Sequence, residues 1–169
     1  MSKTWLISDT HFGHKNIIEY CDRPFDYVEQ MDKEIIKKWN KVVRGGDKVY
    51  HLGDFAFYND KDKMTELVKK LNGDIYLIKG NHDKKSSQWY RDCGFKEVYD
   101  KPIVFEEFYI LSHEPMPFMA ETRLPLCNIF GHIHDSTMFK TFGPRHACVC
   151  VERHNYAPID FEDIKVNIG

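Results

Sequence analysis

Repeatedly along this chain a short apolar run ends in a cluster of aspartate, asparagine or histidine. Thr4 to Ser8 leads into Asp9 and His11, Lys48 to Leu52 into Asp54, and Ile75 to Ile78 into Asn81, His82 and Asp83. Phe108 to Leu111 then precedes His113, and Asn128 to Phe130 precedes His132 and His134. Between the early runs stand segments of helical period. Val28, Met31, Ile35, Ile36, Trp39, Val42 and Val43 recur at three- and four-residue steps with Lys and Glu between them, as do Met64, Leu67, Val68 and Leu71. Strands alternating with helices predict an α/β fold with a polar cluster at the carboxyl end of each strand. Such sheets gather ligands along that edge, so residues far apart in sequence are expected to meet there.

The other local signals complete the outline. Asn16 before Ile17 and Ile18, with Glu19 three residues on, predicts a capping box opening a short helix. Gly45-Gly46 stops the first long helix and Asn72-Gly73 separates the second from its strand. Later strands are expected at Pro102 to Phe105 and Ala147 to Val151, while Pro115, Pro117 and Pro125 make Glu114 to Leu126 a loop. The Lys-rich stretches Lys33 to Lys41 and Lys61 to Lys70 are the solvated faces of the two helices.

At 169 residues, with no repeat or low-complexity linker, the chain reads as one domain over 1–169. The net charge of −2 provides no broad basic field for duplex nucleic acid. No apolar run is long enough to span a membrane and no signal peptide is evident, so a cytoplasmic protein with no membrane partner is expected. Five cysteines in no CxxC spacing read as reduced thiols, Cys148 and Cys150 on one face of a buried strand. Surface positions are expected for Arg145, His146, Arg153 and His154, and a core or supporting position for His51.

The chemistry lies in the clusters. Imidazole, carboxylate and amide oxygen without thiolate suit divalent Mn, Fe, Co, Ni or Zn. Asp9, His11, Asp54, Asn81, His113, His132 and His134 are too many ligands for one tetrahedral ion, and a shared carboxylate divides them between two. Asp54 is the natural bridge.

In order, Asp9-Thr10-His11, Gly53-Asp54, Gly80-Asn81-His82-Asp83, His113 and Gly131-His132-Ile133-His134 resemble the motifs of the calcineurin-like metallophosphoesterase superfamily. DTHFGHKNII near the start and the tail ending NYAPIDFEDI look like its compact, capless bacterial and phage members. The resemblance implies a four-layer αββα sandwich, two mixed β-sheets face to face with helices outside. It assigns one ion to Asp9, His11, Asp54 and His134, and the other to Asp54, Asn81, His113 and His132. It makes His82 the group that faces the substrate, stabilises the phosphoryl charge and protonates the leaving oxygen, with Asp83 orienting it. The reaction implied is in-line attack on a phosphoester by a metal-bridging hydroxide. The second motif runs Gly-Asp-Phe-Ala without the further acidic or amide residue of some relatives. Glu114 follows His113 where small relatives often carry an aromatic residue. Both departures bear on substrate preference.

His14, Asn16 and Arg23 are the candidates to touch substrate. A short chain without a cap leaves an open cleft, and only Arg23 and Arg123 are available as extra cationic clamps for a doubly charged monoester. A phosphodiesterase, with a nucleotide or cyclic nucleotide as substrate and Mn as the expected metal, is therefore favoured. The alternatives are a phosphomonoesterase of the same fold and a non-catalytic, metal-binding interaction scaffold.

Overall fold

The computed structural model describes residues 1–117, 124–137 and 143–168. Its first sheet grows from β1 (Thr4–Ile7), β2 (Lys48–His51), β3 (Asp74–Ile78) and β4 (Glu97–Tyr99), all parallel, with β9 (Ile159–Asp160) antiparallel on the outer side of β1. The second sheet has the order β5 (Ile103–Phe105), β6 (Tyr109–Ser112), β7 (Cys127–Phe130), β8 (His146–Cys148), antiparallel only at its first pair. Two mixed sheets with flanking helices thus form the expected α/β sandwich.

Strand alternation sorts the core into two layers. Trp5, Ile7, Val49, Ile75 and Leu77 point from the first sheet into a core shared with α2 (Val28–Val42) and α3 (Lys61–Lys70). Met31, Ile35 and Trp39 supply the stripe of α2, and Met64, Leu67 and Val68 that of α3. Leu6, Tyr50, Leu52 and Ile78 face the other way, against Leu111 and Ile129 of the second sheet and Val149 just beyond β8. Phe161 and Ile164 of α5 (Phe161–Ile168) join that inter-sheet core.

Several elements depart from expectation. Helix α1 (Asn16–Tyr20) begins at Asn16, the residue expected to cap it; its N-cap is Lys15 and no side chain caps it. Asp60 does cap α3, accepting from the Lys63 N–H at 3.0 Å. α4 (Ser87–Asp92) and β4 are too short to show a period, burying only Tyr90 and Val98 respectively. β8 ends at Cys148, and Val151 starts a 3-10 turn (Val151–Arg153) instead of continuing the strand. There the chain crosses to the end of β1: Ser8 N–H donates to Val149 O at 3.0 Å and Val151 N–H to Ser8 O at 3.2 Å. This crossing ties the two sheets together beside the first polar cluster. The described ends of the Glu114 to Leu126 segment are irregular, as expected; Arg123 lies outside the described residues. No helix among the described residues is long and apolar enough to cross a membrane.

Candidate metal centre

Every polar cluster emerges at the carboxyl end of its strand, and backbone bonds join the loops. Asp9 N–H donates to Gly53 O at 2.9 Å, His11 N–H to Asp54 O at 3.1 Å, and Gly131 N–H to His113 O at 2.9 Å. The turns are tight. Asp9, His11, Asp54, His132 and His134 all have positive φ, between 50° and 71°, a region that costs non-glycine residues energy and marks functional sites. The glycines in the motifs make room for this convergence. A Cβ at Gly53, where φ is +97°, would lie 2.5 Å from His113 Nδ1, and one at Gly131 would lie 2.5 Å from Asp9 Oδ2.

The side chains form two adjoining half-sites. Asp9 Oδ1 stands 3.8 Å from His11 Nε2 and 3.7 Å from His134 Nε2. His113 Nε2 stands 3.4 Å from Asp54 Oδ2, 2.8 Å from Asn81 Oδ1 and 3.1 Å from His132 Nδ1, while His132 Nδ1 is also 3.1 Å from Asn81 Oδ1. Asp54 Oδ2 is 3.5 Å from His11 Nε2 as well, so one oxygen sits between the halves. Donor atoms about 2.1 Å from a common ion lie roughly 3.0–3.5 Å from one another, close to this spacing.

The backbone and thiol hydrogen bonds of the two aspartates fall on the oxygens turned away from the centre. Asp9 uses Oδ2 for the His132 N–H at 2.9 Å and the Cys150 thiol at 3.3 Å; Asp54 uses Oδ1 for the His82 N–H at 2.9 Å. Asp9 Oδ1 and His11 Nε2 are buried without a hydrogen-bond partner among the described residues. An unpaired buried carboxylate oxygen facing an unpaired imidazole nitrogen is costly unless a cation lies between them. The residues present therefore fit divalent ions.

A second layer fixes the imidazoles. His113 presents Nε2 to the centre because Nδ1 donates to Leu52 O at 2.7 Å, and His134 does so because Nδ1 donates to Glu152 Oε1 at 2.8 Å. His51, wholly buried, accepts from Gly53 N–H through Nδ1 at 3.2 Å and bonds Thr10 Oγ1 through Nε2 at 2.9 Å, the supporting position expected of it. Its pKa is pushed down to about 3 by burial. Arg153, expected on the surface, is exposed but pins the His134 loop, donating to His134 O at 2.6 Å and Ser136 O at 3.0 Å.

Charge follows from this packing. Burial opposes ionisation of Asp9 and Asp54, yet neighbouring imidazoles, His11 at Asp9 and His113 at Asp54, hold both below the usual carboxylate range. Burial likewise opposes charge on His113 and His134. Asp54 outweighs it at the first, lifting the pKa to about 9, and Cys21, Glu152 and Asp9 outweigh it at the second, lifting it to about 11. At His11 burial wins and the pKa falls.

The remaining candidates separate. His82 is exposed beside the centre, its ring 5.6 Å from that of His11. Asp83 is buried, and its oxygens accept from the N–H groups of Asp54 at 2.7 Å, Gly80 at 2.7 Å and Phe55 at 3.1 Å. It braces the loops that carry Asp54 and His82 through these backbone N–H groups. Burial raises its pKa to about 6. His14 lies at the centre, Nδ1 3.1 Å from His11 Nδ1, with its pKa lowered to about 4 by burial. Asn16 is exposed and lines a separate groove with Glu19 and Tyr27.

Arg23 is not at the substrate face. Its buried guanidinium donates to Asp9 O at 2.6 Å, Thr10 O at 2.9 Å, Met31 Sδ at 3.5 Å, and twice to Glu152 Oε1 at 3.0 and 2.7 Å, which engages all its donors. Glu152, absent from the sequence reading, thus links Arg23 to His134. No motif surrounds it, and only the crossing after β8 brings it under the first loop.

Fold and site together define an α/β sandwich whose strand ends gather residues able to hold metal ions. A calcineurin-like phosphoesterase profile matches residues 2–120, and the chain belongs to that family. An uncharacterized protein of Methanocaldococcus jannaschii is 58% identical over 85 residues, 50% of this chain and 48% of that protein. The Gene 66 protein of Mycobacterium phage L5 is 39% identical over 85 residues, 49% of this chain and 41% of that protein. The matched stretch thus spans about half the length of these relatives, or less. A crystal structure of a protein of unknown function from Aquifex aeolicus has a TM-score of 0.76 at 29% identity, covering 98% of this chain and 99% of the other. The Pseudomonas putida nuclease MPE shares the fold with a TM-score of 0.53 at 22% identity, covering 78% of this chain and 61% of that one.

Proposed function

We propose that the chain hydrolyses phosphodiesters with two divalent ions, Mn first among Fe, Co, Ni and Zn. Asp9, His11, Asp54 and His134 would hold one and Asp54, Asn81, His113 and His132 the other. The observation that carries this reading is Asp54 Oδ2, 3.5 Å from His11 Nε2 and 3.4 Å from His113 Nε2, an oxygen shared by both halves. The ions, when bound, supply Lewis acidity that activates water and neutralises phosphoryl charge.

The chain's own residues do the rest. His82, exposed beside the half-sites and tied through its N–H to Asp54 Oδ1, protonates the leaving oxygen. Asp83 acts at one remove, holding the backbone that positions Asp54 and His82. Glu152 and Leu52 O take the Nδ1 protons of His134 and His113, so the nitrogen each ring aims at the centre is the one that would give up its proton and ligate an ion.

Two features support a diester. Arg23 has its donors engaged behind the centre, so it adds no clamp for a second negative charge. Two cavities border the site, one of about 460 Å³ lined by Asn81, His113, Pro102 and Met116 and one of about 230 Å³ lined by His82, Phe57 and Lys84. Each has room for one ester group. Steady-state rates for bis-p-nitrophenyl phosphate and p-nitrophenyl phosphate with the same metal test this. A higher kcat/KM for the diester is expected; a clear monoester preference overturns the diesterase reading.

A further inference from the structure

Phe57 is exposed over 40% of its surface although it stands among the imidazoles of the centre. Its ring lies 5.2 Å from that of His82 and 5.7 Å from that of His11. One face rests flat on His14, with centroids 3.7 Å apart and planes 10° from parallel, so the site already holds a planar ring stacked on this residue. Its backbone is fixed, since Phe57 N–H donates to Phe12 O at 2.8 Å beside the Phe12–Ala56 bridge. The cavity it borders continues past His82 to Lys84 and Lys85. An exposed ring next to the proton donor, on a loop held by backbone hydrogen bonds, offers a ligand flat apolar area at the reacting centre.

We propose that Phe57 selects the leaving group: its open ring surface stacks the nucleobase of a nucleoside leaving from a nucleotide phosphodiester. This rests on the assignment of His82 as proton donor, because the group leaving through His82 must lie on the same side of the centre as Phe57. Stacking on an aromatic ring tolerates any base, so the selection is for a planar ring and not for one sequence.

The experiment compares dithymidine monophosphate with bis(2,2,2-trifluoroethyl) phosphate, a diester that carries no planar ring, in wild type, Phe57→Leu and Phe57→Trp. Phe57→Leu keeps an apolar side chain in contact with His14 but loses the planar face. It should lower kcat/KM for the dinucleotide roughly ten- to hundredfold, the range base–aromatic stacking carries, with less than about a threefold change for the ring-free diester; Phe57→Trp should restore the difference. Equal losses on both substrates would show that Phe57 only supports His14 and His82, and would overturn the proposal. A second readout needs no turnover: calorimetric binding of the methylphosphonate-linked dithymidine analogue should weaken by a similar factor in Phe57→Leu. Unchanged binding overturns the stacking assignment. If wild type hydrolyses neither diester, the diesterase reading falls, and the binding comparison still decides the role of Phe57.

Discussion

Replacing Glu152 with alanine should damage both stability and metal binding, because one oxygen of this carboxylate serves two elements. Oε1 accepts from Arg23 at 3.0 and 2.7 Å and from His134 Nδ1 at 2.8 Å, and the side chains of Arg23 and Glu152 are only 0% and 4% exposed. Removal leaves a buried guanidinium without its counter-charge, and breaking such a pair costs about 3–5 kcal/mol. The guanidinium also holds Asp9 O and Thr10 O, so the loss reaches the first ligand loop. Freed of its acceptor, the His134 ring can turn, and loss of such a supporting partner typically weakens metal affinity about 10- to 100-fold. Urea denaturation of the metal-free protein measures the first effect without linkage to bound ions, and chelator competition measures the second. Glu152→Gln, which keeps an acceptor but not the charge, should fall between. A loss below about 1 kcal/mol with unchanged metal affinity would refute the argument that Glu152 couples Arg23 to His134.

Two further outcomes follow from single residues. His82→Ala should keep its metals and lose rate by roughly 10² to 10⁴, least for good leaving groups; equal losses across leaving groups would mean that it stabilises charge without donating a proton. Asp32, whose carboxylate accepts from Gly13 N–H at 3.1 and 3.0 Å and from Tyr58 at 3.2 Å, has its pKa raised by burial to about 6. A raised carboxylate pKa gives stability that is full below the unfolded value of about 4 and lost as pH rises through about 6. Two pH units at about 1.4 kcal/mol each set an upper limit of about 3 kcal/mol. The stability of Asp32→Asn relative to wild type should therefore rise by on the order of 1–3 kcal/mol between pH 4 and pH 7 in urea titrations; a difference independent of pH would contradict the shift.

What could be read in the sequence was what repeats locally. The long helices announced themselves through Met31, Ile35 and Trp39 and through Met64, Leu67 and Val68, and the ligand clusters through their places after apolar runs. The short α4, β4 and β9 have too few residues to carry a period. Val149 and Val151 alternate with Cys148 and Cys150 as a strand would, whereas pairing with Ser8 turns the chain aside after β8. Arg23 looked like a loop cation free to meet substrate. Its burial depends on Glu152, 129 positions away in the chain, and no local pattern records that contact. Asn16 has the composition of a cap, but the helix starts one residue earlier than that role requires. Nothing local in the sequence singles out Phe57, and only the convergence of His11, His14 and His82 around it gives it a place in the site.

An activity titration tests most directly whether two ions share Asp54. Metal-free protein, at a concentration far above the dissociation constants, receives Mn in fractions of an equivalent while hydrolysis of bis-p-nitrophenyl phosphate is followed. The rate should rise until two equivalents per chain are present and then stay level. A plateau at one equivalent, or full activity in the metal-free protein, would contradict a pair of ions sharing Asp54.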